Sequence, residues 1–439
     1  MLKFGNTFVN FDGTYLEDYK VPVYNVILQQ SVGGTINASP LSGHRNTEVT
    51  LSNTPTGDYL FGGYKISGSN LYDNNKFKFE ECDVIASAKF YINPNPLNLP
   101  PYTIRVRCQD GITPTFSKGT SVRVSQNPNV WDITYNNSNW YRLLYYSGGN
   151  GIIEVLGANS SGVEKMNYLF NDCSLLSSVN FFDTSTVTDM SNMFIRCYNL
   201  KTVPLFDTSN VTSMSAMFDY DSKITAIPNF DTNKVADMSF MLADCKALTS
   251  VPLFDTSNVT NMKGMLQTCN SLTSIPLFNT TNVTSMGSML SYCSALKSIP
   301  LFDTSNVTDM NNMFYNCKSL TSVPSFNTNN VISARYTFGN CSALKSIPSF
   351  DTSNVITMEG MCYGCSSLTS IPLFNTNKVT NMIAAFRECG NVKSGALALY
   401  QQASTQATPL RYHSSTFRDC GINTQTGSAE LAQIPSDWK

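Results

Sequence analysis

Phe302-Asp-Thr-Ser-Asn-Val-Thr-Asp-Met-Asn-Asn-Met-Phe-Tyr-Asn-Cys-Lys-Ser-Leu320 runs into Thr321-Ser-Val-Pro-Ser-Phe326, and the phrase returns every 24 residues. Phe recurs at Phe182, Phe206, Phe230, Phe254, Phe278, Phe302, Phe326, Phe350 and Phe374 without a miss. Cys recurs at Cys173, Cys197, Cys245, Cys269, Cys293, Cys317, Cys341, Cys365 and Cys389, and only Asp221 breaks that column. A repeat of this period means a stacked array in which each unit buries its apolar face against its neighbours.

Within one unit, Val307, Met310, Met313, Phe314 and Cys317 fall at i, i+3, i+6, i+7 and i+10. That spacing predicts one face of a helix of about three turns, capped by Asn306 or Thr308. Leu320 and Val323 predict a short strand, ended by Pro324, which has no N–H to donate. Asp or Asn opens the turn after each Phe, from Asp183 to Asn375, and predicts an Asx turn. A calcium ladder is disfavoured there, because three of the nine positions are Asn and calcium wants convergent carboxylates. The cysteines are expected as free, buried thiols, since their column lies on the apolar face beside Met and Phe. Cys362 and Cys365 form a C-x-x-C pair, but Cys365 belongs to the core column and Cys362 takes a Phe or Leu position. In the one exceptional unit, Asp221 must swing to solvent or find a donor.

The chain has 439 residues and a formal charge of −2, and only 14% of its residues are charged. No strong field draws in nucleic acid or an anionic membrane, and no stretch approaches a transmembrane helix. The opening Met1–Asn10 lacks a secretory apolar core, which predicts a protein made in a cytoplasm and not exported by the usual route. Residues 1–20 read as a docking segment. Residues 21–92 read as strands, including Tyr24–Leu28, Glu48–Leu51, Tyr59–Phe61, Lys76–Phe79 and Asp83–Phe90. Pro94, Pro96, Pro100 and Pro101 predict a stiff linker. Residues 102–150 read as a β hairpin, Tyr102–Arg107 with Thr120–Ser125, followed by a cap containing Trp131 and Trp140. The repeats span 151–390, and 391–439 read as the C-terminal cap, with Thr416–Cys420 a degenerate echo of the phrase.

The segment Gly34–Pro40, with Thr50–Phe61 and Gly63–Ile66, resembles the internalin-type B-repeat, a compact β-rich spacer or binding module. The 24-residue phrase resembles the BspA-like leucine-rich repeats of bacterial surface proteins. This resemblance implies an α/β leucine-rich-repeat-like solenoid, with a short strand and a short helix per coil, used in adhesion and recognition. The pairing of a short N-terminal segment, an internalin-type module and such repeats is similar to virion proteins of phages that infect gut Bacteroidetes. A phage protein needs no export signal, because lysis releases it.

The sequence points away from an enzyme. It has two histidines, His44 and His413, neither within a repeat, and no nucleophile, phosphate-loop or metal motif. His413 reads as an ordinary polar loop residue. No cofactor is implied. The expected function is non-enzymatic recognition: a phage fibre, tail or head appendage that binds a host-surface glycan or protein through its solenoid and other virion proteins through its N-terminal region. The alternatives are a structural virion decoration or spacer and a bacterial adhesin; self-association is left open. Two surfaces stand out for ligand binding. After each column Leu, one residue of a polar pair should face outward, giving the row Lys201, Thr249, Thr273, Lys297, Thr321, Lys345 and Thr369. On a rim near the Cys column lie Tyr292, Tyr315 and Tyr363, with Tyr198 and Tyr220; exposed tyrosine stacks on sugars.

Overall fold

A computed structural model describes residues 97–439 apart from 112, 114–118, 127, 136 and 145–150; before residue 97 it describes 2–4, 7–9, 24–29, 34–40, 42–43, 48–55, 59–67, 76–78 and 84–92. Residues 10–23, covering half of the expected docking segment, lie outside the described residues, as do His44 and Pro94 and Pro96 of the proline run. The chain divides into two compact units, Met1–Pro96 and Leu97–Lys439.

Among its described residues, the first unit is built of β-strands. Strands β1 (Leu2–Phe4) and β2 (Thr7–Val9) form an antiparallel pair. They are followed by β3 (Tyr24–Gln29), β4 (Gly34–Ser39), β5 (Ser42–Gly43), β6 (Glu48–Pro55), β7 (Tyr59–Ser67), β8 (Lys76–Lys78) and β9 (Val84–Ile92). One sheet has the order β5-β3-β9-β7, with β3 and β9 parallel, and a second has the order β4-β6-β8.

The second unit opens with β10 (Thr103–Cys108), β11 (Thr120–Ser125), β12 (Val130–Thr134), β13 (Ile152–Asn159) and the short β14 (Ser178–Val179), in the order β11-β12-β10-β13-β14. The expected hairpin between Tyr102–Arg107 and Thr120–Ser125 does not form, because β12 lies between the two strands. The reason is apolar pattern. Val130 and Ile133 of β12 are buried, whereas every residue from Thr120 to Val124 is exposed, so β11 takes the edge. Strand β13 pairs antiparallel with β10 and parallel with β14, and so hands the sheet over to the first coil. Leu99, between Pro96 and Pro100, is buried against this region and its carbonyl accepts Asn159 Nδ2 at 2.8 Å, so the second half of the proline run is packed.

From there the chain winds as a solenoid. Parallel bridges step from Asn139 to Lys165, Asp189, Ser213 and onward to Asn381 and Tyr412. The core columns are buried throughout, and rings stack coil on coil, as with Phe194 and Phe218 at 5.5 Å and Phe314 and Phe338 at 5.6 Å.

The expected helix is absent; a chain of turns replaces it. Met310, Asn312, Phe314 and Asn316 donate their N–H groups to the carbonyls of Ser333, Arg335, Thr337 and Gly339 in the next coil, at 3.2, 2.9, 2.9 and 2.7 Å. Between them, Met313, Tyr315 and Cys317 donate back three residues, to Met310, Asn312 and Phe314. An α-helix would instead close every N–H on the residue four back. Asn312 and Asn316 have φ of 56° and 63°, and the same two positions are left-handed in coil after coil: Phe240 and Asp244, Gly360 and Gly364, Ala384 and Glu388. A left-handed residue cannot continue a right-handed helix. The turns keep Met310, Met313, Phe314 and Cys317 inward, which is why the spacing imitates a helix. The expected strand also shrinks, in most coils, to a single contact, such as Lys345 N–H on the Thr321 carbonyl at 3.2 Å. Pro324 and its counterparts remove the next donor.

Side chains complete the stacking. Each Asx turn forms as expected, from Asp183 on Ser185 N–H at 2.9 Å to Asn375 on Asn377 N–H at 3.0 Å. Except at Thr280 and Thr376, the following Thr reaches one coil on, as Thr304 Oγ1 does to the Asn327 carbonyl at 2.6 Å. The column cysteines donate to a backbone carbonyl of the preceding coil: Cys317 to Leu290 and Cys341 to Phe314, at 3.1 and 3.0 Å. All twelve cysteines among the described residues are free and buried.

At the far end, α1 (Ala396–Thr405), α2 (Gln425–Gln433) and a final turn at Ser436–Trp438 close the core. His413 is no simple loop residue: its ring stacks on Trp438 at 4.5 Å. Among the described residues no helix is long and apolar enough to cross a membrane.

Candidate functional site

The turn segment of each coil keeps Met310, Met313, Phe314, Cys317 and their equivalents in the core and leaves the residues between them on one outer face. Beside the buried Phe314, Tyr315 lies on that face, half-buried. Four coils in succession contribute a tyrosine there, and the rings meet edge to face. Tyr292 and Tyr315 have centroids 5.4 Å apart, Tyr315 and Tyr336 5.9 Å, and Tyr336 and Tyr363 6.4 Å. Edge-to-face pairing at this range is favourable beyond simple burial.

Glycine makes the arrangement possible. Tyr315 and Tyr363 share one repeat column, but Gly339 stands there in the coil between them. A Cβ on Gly339 would meet Tyr315 Cδ2 at 2.8 Å and Tyr336 Cδ1 at 3.2 Å. Gly360, with φ +56°, lies under Tyr336, and a Cβ there would meet that ring at 2.1 Å. Tyr336 comes from a different column and swings its ring into the room the two glycines leave.

Polar groups flank the ladder. Arg335 lies 5.6 Å from the Tyr336 ring and donates Nη2 to Glu359 Oε1 at 2.9 Å. Arg387 lies 5.6 Å from the Tyr363 ring and donates Nε to Glu388 Oε1 at 3.2 Å. Tyr363 Oη donates to that same oxygen at 3.3 Å, and Asn340 Nδ2 donates to Tyr315 Oη at 3.0 Å. Burial, and then the neighbouring Glu388 carboxylate, raises the Tyr363 phenol; burial and Tyr315 do the same to Tyr292. Asn312, Tyr315, Arg335, Tyr336, Tyr363, Ala384 and Arg387 enclose an open concavity of about 510 Å³, within the range of small-molecule sites.

The structure thus joins Tyr292, Tyr315 and Tyr363, and adds Tyr336, Arg335 and Arg387, which column-by-column reading missed. Tyr198 and Tyr220 stand elsewhere on the rim; Tyr220 lies by Arg196 at 5.8 Å. Lys201, Thr249, Thr273, Lys297, Thr321, Lys345 and Thr369 form a separate exposed row, and none lines the concavity. Both members of each polar pair are exposed there, rather than one. The segment is not a two-faced strand, and burial resumes only at Val203, Val323 and their equivalents. Among the described residues no three His, Cys, Asp or Glu side chains converge as a metal would need.

The repeat region matches, in four overlapping stretches (154–250, 197–299, 247–349 and 294–399), the family described as "Mycoplasma protein of unknown function, DUF285". A leucine-rich repeat protein from Eubacterium ventriosum, of known crystal structure, is similar over 58% of this chain and 87% of its own, at 18% identity and a TM-score of 0.28. No curated protein matches the sequence. The matched stretches run from 154 to 399, more than half of the 439 residues, in the BspA-like repeat type to which the 24-residue phrase pointed. The chain belongs to the DUF285 family.

Proposed function

We propose that this chain is a non-enzymatic recognition protein whose solenoid presents an extended polar face to a partner on a cell surface. The observation that supports the reading is how constancy and variation divide within each coil. The Val, Met, Phe, Cys and Leu columns hold nearly constant and are buried, while outward positions change from coil to coil: Lys201, Thr225, Thr249, Thr273 and Lys297 in one row, Tyr292, Tyr315 and Tyr363 near another. Solenoids offer long faces along which a partner is read.

In this reading the protein is a bacteriophage virion appendage, made in the host cytoplasm and released by lysis. Its N-terminal unit attaches it to the particle and the solenoid faces the bacterium. No cofactor, nucleic acid or membrane insertion takes part. The test is binding of the fluorescently labelled full-length protein to gut Bacteroidetes cells, together with immunogold labelling of purified virions. Saturable, competable cell binding is expected. Its absence across the panel overturns the recognition reading, and unlabelled virions overturn the phage assignment.

A further inference from the structure

We infer that the tyrosine ladder Tyr292–Tyr315–Tyr336–Tyr363, with Arg335 and Arg387, is a binding site for a neutral glycan chain. The inference deepens the recognition reading above and rests on it.

Three observations lead to this ligand class. The first is the repeat. Each of four consecutive coils supplies one tyrosine, at 5.4 to 6.4 Å from the next, so a regular protein meets a ligand that itself repeats. Sugar rings present C–H faces that pack on aromatic rings, and tyrosine adds a polar tip. The second is charge. Arg335 is already bonded to Glu359 and Arg387 to Glu388. Each cation carries its own carboxylate, so the site as a whole is neutral. A sulfated or carboxylated ligand would have to displace Glu359 or Glu388 to gain an arginine. A neutral sugar hydroxyl can donate to the carboxylate while accepting from the guanidinium, leaving both pairs intact. The third is preorganisation. Gly339 and Gly360 seat the Tyr336 ring against backbone, Asn340 holds Tyr315 Oη, and Glu388 holds Tyr363 Oη. Groups already held in place lose little freedom on binding.

The experiment titrates the full-length protein against a soluble β-glucan, an α-mannan and a xylan, with heparin and a sialylated oligosaccharide alongside, by affinity electrophoresis and on an array of neutral oligosaccharides. At least one neutral glycan should be retained. Tyr336→Ala and Arg335→Ala should each weaken that retention tenfold or more, while Lys234→Ala, at an exposed position in a coil that contributes no ladder tyrosine, changes it less than twofold. Arg335 has an exposed side chain, so its variant reports on the site even where Tyr336→Ala disturbs folding. Retention of acidic glycans alone, of no glycan on the array, or equally by wild type and both site variants overturns the inference. Cell binding that persists in both site variants overturns this site and leaves the recognition reading standing; wild-type protein that binds no cells overturns that reading itself.

Discussion

Asp221 Oδ1 accepts the backbone N–H of Cys197, one coil upstream, at 2.7 Å. The carboxyl group is fully buried, and its Oδ2 has no hydrogen-bond partner. Of the two outcomes open to this residue, it has found a donor rather than turned to solvent.

The pH dependence of stability follows. Burial pushes the Asp221 carboxyl well above the usual range, and the Cys197 N–H only partly opposes it. Nearby Asp219 is raised to about 7, by burial first and then by Asp244. A carboxyl raised on folding binds its proton more tightly in the native state. Its contribution is therefore greatest at acid pH and is lost as pH climbs from the unfolded value toward the folded one. Asp255, Asp303 and Asp351 are lowered by bonds from Ser257, Ser305 and Ser353, and act only at more acid pH. Urea midpoints should fall between pH 5 and pH 8, at up to about 1.4 kcal/mol per pH unit for each proton retained. Asp221→Asn should flatten the slope. A flat wild-type profile, or an undiminished slope in the variant, would refute the assignment.

The thiols should be inert until the protein unfolds. Burial is the leading cause that pushes the Cys197, Cys245, Cys269 and Cys317 thiols well above their ordinary value and Cys293 up to about 12. Thiolate, the reactive form, is scarce in such sites. Titration with a thiol reagent should find few groups in native protein and close to all 13 cysteines of the sequence in denaturant. Disulfides between neighbouring coils would contradict this.

Ala334 occupies a column that is otherwise Met, from Met190 to Met382. It borders a small apolar void of about 20 Å³ with Met310, Phe314 and Phe338. Ala334→Met should fill it and raise stability by about 1 kcal/mol. A lower denaturation midpoint would mean that the void is too narrow for the longer side chain.

Gly360→Ala should cost about 2 kcal/mol or more, because its φ is left-handed and a Cβ would strike the Tyr336 ring. Gly287→Ala is the comparison: its φ is not left-handed, and the nearest atom to a Cβ is the movable Asp309 Oδ2 at 3.1 Å. Thermal melts of the two variants should differ widely. Equal melts would mean that the ring and backbone relax freely.

The stacked array, its core columns, its buried thiols and its Asx turns were all legible in the sequence, because each repeats at fixed offset. The helix was misread because inward Val307, Met310, Met313, Phe314 and Cys317 satisfy both a helix and a chain of alternating turns. The distinguishing signal lay in two other columns, four residues apart, where Gly264, Gly360, Gly364, Asn312, Asn316 and Asn340 collect. These residue types tolerate left-handed backbone. Tyr336 escaped for a different reason. It belongs to another column than Tyr315, and only the missing side chains of Gly339 and Gly360 bring the two rings together. Such a contact depends on three coils at once, which period-based reading does not see.

The alternate N–H groups from the first inward Met of the turn segment onward run one way between coils. Most coils give four of them to the coil after, so this ladder has a donor end and an acceptor end. Trp140, Arg142 and Leu144 supply N–H groups to Lys165, Asn167 and Leu169 at the start; Tyr412, Ser414, Thr416 and Arg418 supply carbonyls to Met382, Ala384, Phe386 and Glu388 at the finish. Stripped of both closures, one copy would offer its finish to the start of another, and that head-to-tail contact would repeat without limit. The terminal segments therefore do more than cover apolar side chains: they occupy the backbone groups through which an uncapped stack could extend.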